Sequence, residues 1–313
     1  MNSSMLKRGL RLRSTLGPIL CGVAALVVSA ACLFIIGYLV QQGLHAINWT
    51  FLSTDPQPSL LEEQAGGIRI PIVGTVILVV MSTLMSLPIA IGAAVYLAEY
   101  LDENHTVTKG VRLGLEVLAG VPSVVFGMFG IAMFSKHMFT FLSSPGAEGS
   151  QAAFGRSFLV ASIVLGLHVL PFVIKTAEEA IRSVPQGYRS GAAALGIPKW
   201  RALRKVVLPA ATPGIATGTI LGMGLTAGDT AIVWLMLGGT INFASDQWWL
   251  AQNWVDVLRG PGSTLTTFIY FASPAGEGNA TGLAFGAAAV LVFVVLALNL
   301  MALLIVRLSA ARS

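Results

Sequence analysis

The sequence predicts an all-α, polytopic membrane protein with six transmembrane helices, and three observations carry that reading. Of 313 residues, 55% are apolar and 11% charged, with mean hydropathy +0.79, whereas soluble chains carry about 25% charge. Six apolar stretches are long enough to cross a hydrocarbon layer, which takes about 20 helical residues with every backbone polar group satisfied inside the segment. Lys and Arg gather in alternate connecting segments, as they do when one side of a membrane is cytoplasmic. The net charge of +5 does not indicate nucleic acid, because the cations sit in short segments between long uncharged runs. Two cysteines eleven residues apart in one apolar run, Cys21 and Cys32, give neither a disulfide framework nor a metal-binding spacing.

The crossings fall in order. The first is about Leu16–Val40, after Lys7, Arg8, Arg11 and Arg13; it is too long for the apolar core of a signal peptide and reads as an anchor. The second lies within the uncharged Ile70–Ala98. The third is about Val117–Ser135, the fourth Ser157–Ile174, the fifth Ala210–Leu237 and the sixth Thr281–Val306. With the N-terminus in the cytoplasm, 15 of 19 Lys and Arg residues fall inside and only Arg69, Lys136, Arg156 and Arg259 outside. Both termini and the segment Lys175–Pro209 are therefore expected in the cytoplasm. The outer loops are polar and rich in Gly and Pro, and Trp248, Trp249 and Trp254 are expected to anchor at the lipid interface. Pro88, Pro122 and Pro171 each remove a helical hydrogen bond and can kink their helices. Gly214, Gly218 and Gly222 share one face of the fifth crossing and predict close packing of that helix against protein. Gly224 and Gly228 repeat the spacing.

The polar interruption Lys175–Pro209 carries seven of the 19 cations. Glu178 and Arg182 form an i, i+4 pair of favourable order, so the fourth helix is expected to run on into water until Pro185 and Gly187 end it. A short helix follows from about Tyr188 to Leu195, built on Gly191-Ala192-Ala193-Ala194 and capped by Gly196. Pro198 opens a third helix, in which Trp200, Leu203 and Val207 share one face and Arg201, Arg204 and Lys205 another. An Ala/Gly rod buries little by itself and suits a partner's groove.

At these residues the loop resembles the EAA loop of binding-protein-dependent ABC importer permeases: Glu-Ala-Ala, three residues, Gly, nine residues, Ile-x-Leu-Pro. Ser190-Gly191-Ala192 take the first three places, Gly196 the glycine, and Val206, Leu208 and Pro209 the end, with the spacing kept and Ser190 replacing the glutamate. The stretches Gly66–Val79, Leu87–Leu101, Leu118–Gly130, Thr176–Pro185 and Leu208–Gly218 are similar to PstA-type permeases of the phosphate-specific importer. The resemblance implies a type I (MetI-like) permease core at 67–306 with the coupling loop at 175–209, preceded by an anchor and outer loop at 1–66 and followed by a tail at 307–313. It implies an inner-membrane subunit carrying inorganic phosphate, a second homologous permease, two ATP-binding subunits and a periplasmic phosphate-binding protein. ATP and magnesium would be held by the partner subunits, with no cofactor on this chain. Coupling would involve Ser190, Gly191, Ala192, Gly196, Trp200, Leu208 and Pro209.

Within the crossings the clearest ionisable residue is Asp229, a functional candidate by its position. It takes the acidic place of the family segment Gly-Arg-Ala-Ile-Gly-Glu-Thr, while Leu225 takes the place of the arginine. An anion path needs positive charge, so Asp229 is expected either to pair with a cation of the second permease or to mark a different substrate; the structural alternative is a hydrogen bond to Thr226 or Thr230. Thr226, Thr230 and Ser123, which follows Pro122, are further path-lining candidates, and His168 reads as a packed histidine. No Gly-x-x-x-x-Gly-Lys-Ser/Thr loop occurs, so energy must come from another chain. An intramembrane enzyme would need a nucleophile with a base or clustered ligands, which the four scattered histidines and the lone Asp229 do not supply. An ion-coupled secondary transporter would have no use for the helical loop and would often show repeated halves, which the sequence does not.

Overall fold

The computed structural model describes residues 3–57, 66–102, 105–143, 155–238, 240, 243, 248–276, 278 and 280–310. Its helices are α1 (Ser3–Leu44), α2 (Trp49–Ser53), α3 (Arg69–Val95), α4 (Thr106–Ala119), α5 (Ser123–Phe134), α6 (Phe158–Ser183), α7 (Gln186–Ala194), α8 (Lys199–Ala202), α9 (Leu208–Gly228), α10 (Ala231–Leu237), α11 (Trp254–Arg259), α12 (Leu265–Ala272) and α13 (Thr281–Ala310). Five stretches are long and apolar enough to span a membrane: 17–44, 69–100, 158–183, 199–228 and 281–307. The α4–α5 pair meets the same test only when its two halves are taken together, across a bend of 97°.

Two expected crossings are broken. The third, read as one helix over Val117–Ser135, stops at Ala119 and restarts at Ser123. Gly120 caps α4, and Pro122 keeps Val121 out of the helical region, so the chain turns there. The 12-residue α5 is only ~18 Å long, against a hydrocarbon thickness of ~30 Å. The fifth, read as one helix to Leu237, stops at Gly228; Asp229 is extended (φ −73°, ψ 118°) and α10 begins after Thr230. Pro88 and Pro171, by contrast, lie within unbroken helices.

The spine is α6. It packs on α3 and α9, which also touch each other; α13 lies on α9, and α1 on α13. Ser157 starts α6 by accepting the Val160 N–H (3.1 Å), leaving the apolar face that begins at Phe158 fully buried. The Gly214, Gly218 and Gly222 stripe faces α6: a Cβ at these positions would lie 2.5 Å from Ala180 Cβ, 2.0 Å from Thr176 Oγ1 and 2.9 Å from Val169 Cγ1. Among the described residues nothing lies within 4 Å of a Cβ built at Gly224 or Gly228, which sit on another face of α9. The half-helices α5 and α10 lie side by side, with Gly127 against Leu235 and Gly130 against Met236. Of the three tryptophans, Trp248 is not an exposed anchor. It packs on the core with Phe243 (ring centroids 5.7 Å) and beneath Arg69 (5.7 Å), which also pairs with Asp55; Trp249 and Trp254 remain exposed.

Gly218→Ala is expected to destabilise the bundle by about 1–3 kcal/mol through the clash with Thr176. Gly224→Ala, in open space, is expected to be neutral or to stabilise α9 by up to about 1 kcal/mol. Thermal unfolding of the purified chain in detergent checks both. Equal effects of the two substitutions would contradict the assignment of the stripe to the α6 contact.

Candidate functional site

The first pole of the site is the short rod α7 at one end of the bundle. Pro185 starts it and Gly196 ends it. Gly196 has φ +69°; its N–H donates to Ala193 O (2.9 Å) and the Ile197 N–H to Ala192 O (3.1 Å). This is a Schellman closure, a left-handed position that a residue with a Cβ occupies at a cost. Ala192 faces inward and is buried, whereas Ser190, Gly191, Ala193 and Ala194 are exposed, and nothing lies within 4 Å of a Cβ built at Gly187 or Gly191. Beyond the rod, Leu195 is 80% and Trp200 60% exposed. The face expected to join Trp200 with Leu203 and Val207 is therefore divided: Leu203 and Val207 are buried and Trp200 is not. Downstream of Trp200 a π turn over Leu203–Val207, closed by the Leu208 N–H on Leu203 O, keeps Leu203 and Val207 on the buried side. Pro209 has no N–H for the Lys205 carbonyl, and the chain absorbs one extra residue there, which rotates α8 relative to α9. Leu208 is half-buried and Pro209 exposed. Leu195, an exposed apolar side chain at the tip of the rod, had no signal in the sequence beyond standing before Gly196.

The rod is tied to the bundle by charge. Arg189 donates through Nε to Glu99 Oε1 (2.9 Å), through Nη1 to Val184 O (2.6 Å) and through Nη2 to Ile181 O (2.8 Å). Glu99 belongs to a second π turn, Tyr96–Tyr100, at the end of α3, and its carbonyl accepts from Lys199 Nζ, which also lies 4.9 Å from the Tyr100 ring centroid. Nearby, Glu178 Oε1 accepts from Arg112 (2.6 Å) and from Arg182 (2.9 Å), and Arg182 also donates to Leu97 O (3.1 Å). The expected i, i+4 pair is thus present, and a cation from α4 joins it. In α4, Lys109, Arg112 and Glu116 recur on one helical face; Glu116 meets Lys175 of α6 at 3.5 Å. Beneath these ties one apolar cluster joins the ends of α3 and α6 to the start of α9, with Ala94, Ile181, Leu203 and Val207 among its members. A cleft of about 680 Å³ separates the rod from the bundle, bordered by Glu99, Arg189, Ser190, Ala193, Ile197 and Lys199.

The second pole is the joint between α9 and α10. Asp229 Oδ1 accepts the Ile232 N–H (2.7 Å), capping α10. Oδ2 lies 3.9 Å from Nε2 of His168 on α6, with the two side chains only 8% and 16% exposed. The His168 ring also stands edge-on to Phe126 of α5 (centroids 5.0 Å), and its Nδ1 is buried without a hydrogen-bond partner among the described residues. His168 packs between α6 and α5 and faces the α9–α10 joint. The sequence could not reveal this, because the pair is 61 positions apart and its closeness depends on the break after Gly228. The acidic side chain binds neither threonine in the way expected. Its oxygens face Ile232 N–H and His168, while Thr226 turns back to Gly222 O (3.0 Å), buried among α3, α6 and α9. Thr230 is half-buried at the joint, and Ser123 half-buried at the head of α5. Among the described residues no group of three or more His, Cys, Asp or Glu could hold a metal.

Comparison with known proteins agrees with this architecture. Residues 86–313 match the family of binding-protein-dependent transport system inner membrane components. The chain is 30% identical over 285 residues to the probable ABC transporter permease protein YqgI of Bacillus subtilis, covering 90% of each. It is 28% identical over 296 residues to the phosphate transport system permease protein PstA of Mycobacterium leprae, covering 93% of this chain and 87% of that one. In fold it is similar to a chain of the inward-facing MetNI methionine ABC transporter, with TM-score 0.56 and 17% identity over 77% of this chain and 94% of the other. The chain belongs to the binding-protein-dependent ABC importer permeases, membrane-spanning transport subunits rather than enzymes.

Proposed function

We propose that this permease carries inorganic phosphate into the cytoplasm as part of an ATP-driven importer, with α7 as the surface on which the ATPase subunits dock. The observation that carries the phosphate reading is the similarity to PstA permeases along almost the whole chain. The partners on this reading are two ATP-binding subunits, a second homologous permease and a periplasmic phosphate-binding protein. The α7 end then faces the cytoplasm, in keeping with its seven cations. The exposed Leu195 and Trp200 beside an Ala/Gly rod, whose one charge, Arg189, is bonded inward, offer a partner an apolar knob. ATP binding would draw the rod with the docked subunits, and the cluster at its base would pass the motion to α3, α6 and α9.

The path on this reading runs past the α9–α10 joint, where Asp229, Thr230 and Ser123 lie near the ends of two half-helices and Thr226 one turn behind. Irregular backbone is tolerated at membrane depth where it is buried in protein or lines a cavity. A second reading, a different oxyanion or small solute, is favoured by Leu225, which stands half-exposed on α9 where PstA-type segments carry a cation. YqgI, at 30% identity, is named as a permease without a substrate. Uptake by the reconstituted importer separates the readings: labelled phosphate is accumulated on ATP addition and excess sulfate fails to compete. Accumulation of another oxyanion with no phosphate uptake would replace phosphate as substrate.

Two substitutions probe the poles. Gly196→Val puts a β-branched residue at φ +69°, a strain of about 1–3 kcal/mol on the cap; substrate-stimulated ATPase activity of the assembled importer is expected to fall severalfold, and unchanged stimulation would count against docking on α7. Asp229→Asn keeps an oxygen for the Ile232 N–H and removes only the charge. Its uptake is expected to fall about tenfold or more with assembly intact, as for loss of a buried charge partner, and Asp229→Leu to abolish uptake. Normal uptake with Asn would reduce Asp229 to a helix cap.

A further inference from the structure

On the reading of α7 as the docking rod, we infer that Glu99 is its positioning residue, the group that makes the rod move as one body with the inner ends of α3 and α6. The carboxylate sits where a π turn, Tyr96–Tyr100, replaces the last α-helical turn of this crossing. The wider turn re-aims the end of α3, and single π turns are frequent at functional sites. Both halves of Glu99 are engaged: its carboxylate by Arg189 of α7 and its carbonyl by Lys199 of α8. One residue therefore holds the helices on either side of the Gly196 turn.

Arg189 has no slack. Its three nitrogens serve the Glu99 carboxylate and two carbonyls, Val184 and Ile181, in the last turn of α6 and just beyond it. The usual i+4 donor for Ile181 O would come from Pro185, which has no N–H, so that carbonyl holds only the long Val184 N–H bond (3.4 Å) besides Arg189, and Val184 O lies just past the helix end. A guanidinium fork can bridge a carboxylate on one helix and carbonyls on another, which a single ammonium cannot do. The Glu99 side chain is 9% exposed and that of Arg189 20%, so neither charge is well solvated and each depends on the other. The rest of α7 makes few contacts with the bundle: Ala192 is its one fully buried residue, and a cleft of about 680 Å³ lies beneath it. Without the Glu99–Arg189 link, a pull on α7 would be spent on widening that cleft rather than on moving α3 and α6.

The test uses the assembled importer in proteoliposomes, measuring ATP hydrolysed and phosphate carried in the same sample. Glu99→Gln is expected to retain the ATPase subunits on purification and to lower phosphate carried per ATP by about tenfold, the effect of stripping one partner from a buried charge pair. Glu99→Asp, which keeps the charge on a shorter stem, is expected to recover part of that loss. Arg189→Gln is expected to behave like Glu99→Gln, and the double variant no worse than either single one, since both remove the same link. If Glu99→Gln fails to assemble, Arg189→Gln, on the exposed helix, carries the same test. An unchanged ratio of phosphate to ATP in either single variant, or losses that multiply in the double variant, would overturn the inference. Failure of the ATPase subunits to copurify with the unaltered chain would instead refute the docking reading beneath it.

Discussion

Two nearly buried carboxylates, Glu99 and Glu178, hold one end of this molecule together. A carboxylate withdrawn from water loses several kcal/mol of solvation unless cations and hydrogen bonds replace it, so each fixes its partners. Glu178 draws Arg112 of α4 and Arg182 of α6 to one oxygen, and Arg182 reaches on to the Leu97 carbonyl of α3. Glu99 draws Arg189 of α7 and, through its carbonyl, Lys199 of α8. Five helices, α3 and α4 from one part of the chain and α6, α7 and α8 from another, thus end in one charged knot above a common apolar cluster. The rod that projects from that knot is largely exposed, with Leu195 at its tip.

From the knot, α6 and α9 run together through the glycine stripe that ends at Gly222. Just beyond, α9 stops, and α10 turns to lie on α5, itself only half a crossing. The two breaks meet around His168, which touches Phe126 on one side and faces Asp229 on the other. A bundle with a tight contact at one end and jointed half-helices at the other can transmit a displacement from the rod and change shape at the joint. This is a spatial connection, and it becomes a mechanism only where the ligand and ATP favour different arrangements of the same joint.

Much of this was legible in the sequence, for reasons that are local. Hydropathy marked the crossings because each must satisfy its own backbone in lipid. Pro185, Gly196 and Pro198 punctuated the loop because their backbone preferences act within a few residues, and the Glu178–Arg182 pair needed only helical spacing. The breaks were not legible, since apolar sequence flanks both Gly120–Pro122 and Asp229–Thr230, and hydropathy sums across a bend as readily as along a straight helix. Spacing groups Trp200 with Leu203 and Val207, but only Leu203 and Val207 are buried, because burial depends on how the segment docks on the bundle and not on its helical phase alone. Glu99 with Arg189, Arg112 with Glu178, and His168 with Asp229 are 90, 66 and 61 positions apart. Only the packing of α3, α4, α6, α7 and α9 brings them together.

The account stands most directly on what touches the tip of the rod. In a chain whose Cys21 and Cys32 are replaced by Ser, a single cysteine at Leu195 carries a short photoactivatable cross-linker within the assembled importer in its native membrane. The account predicts a cross-linked product containing an ATP-binding subunit, with a yield that changes when ATP is bound. Cross-links to lipid or to the periplasmic binding protein alone would contradict it.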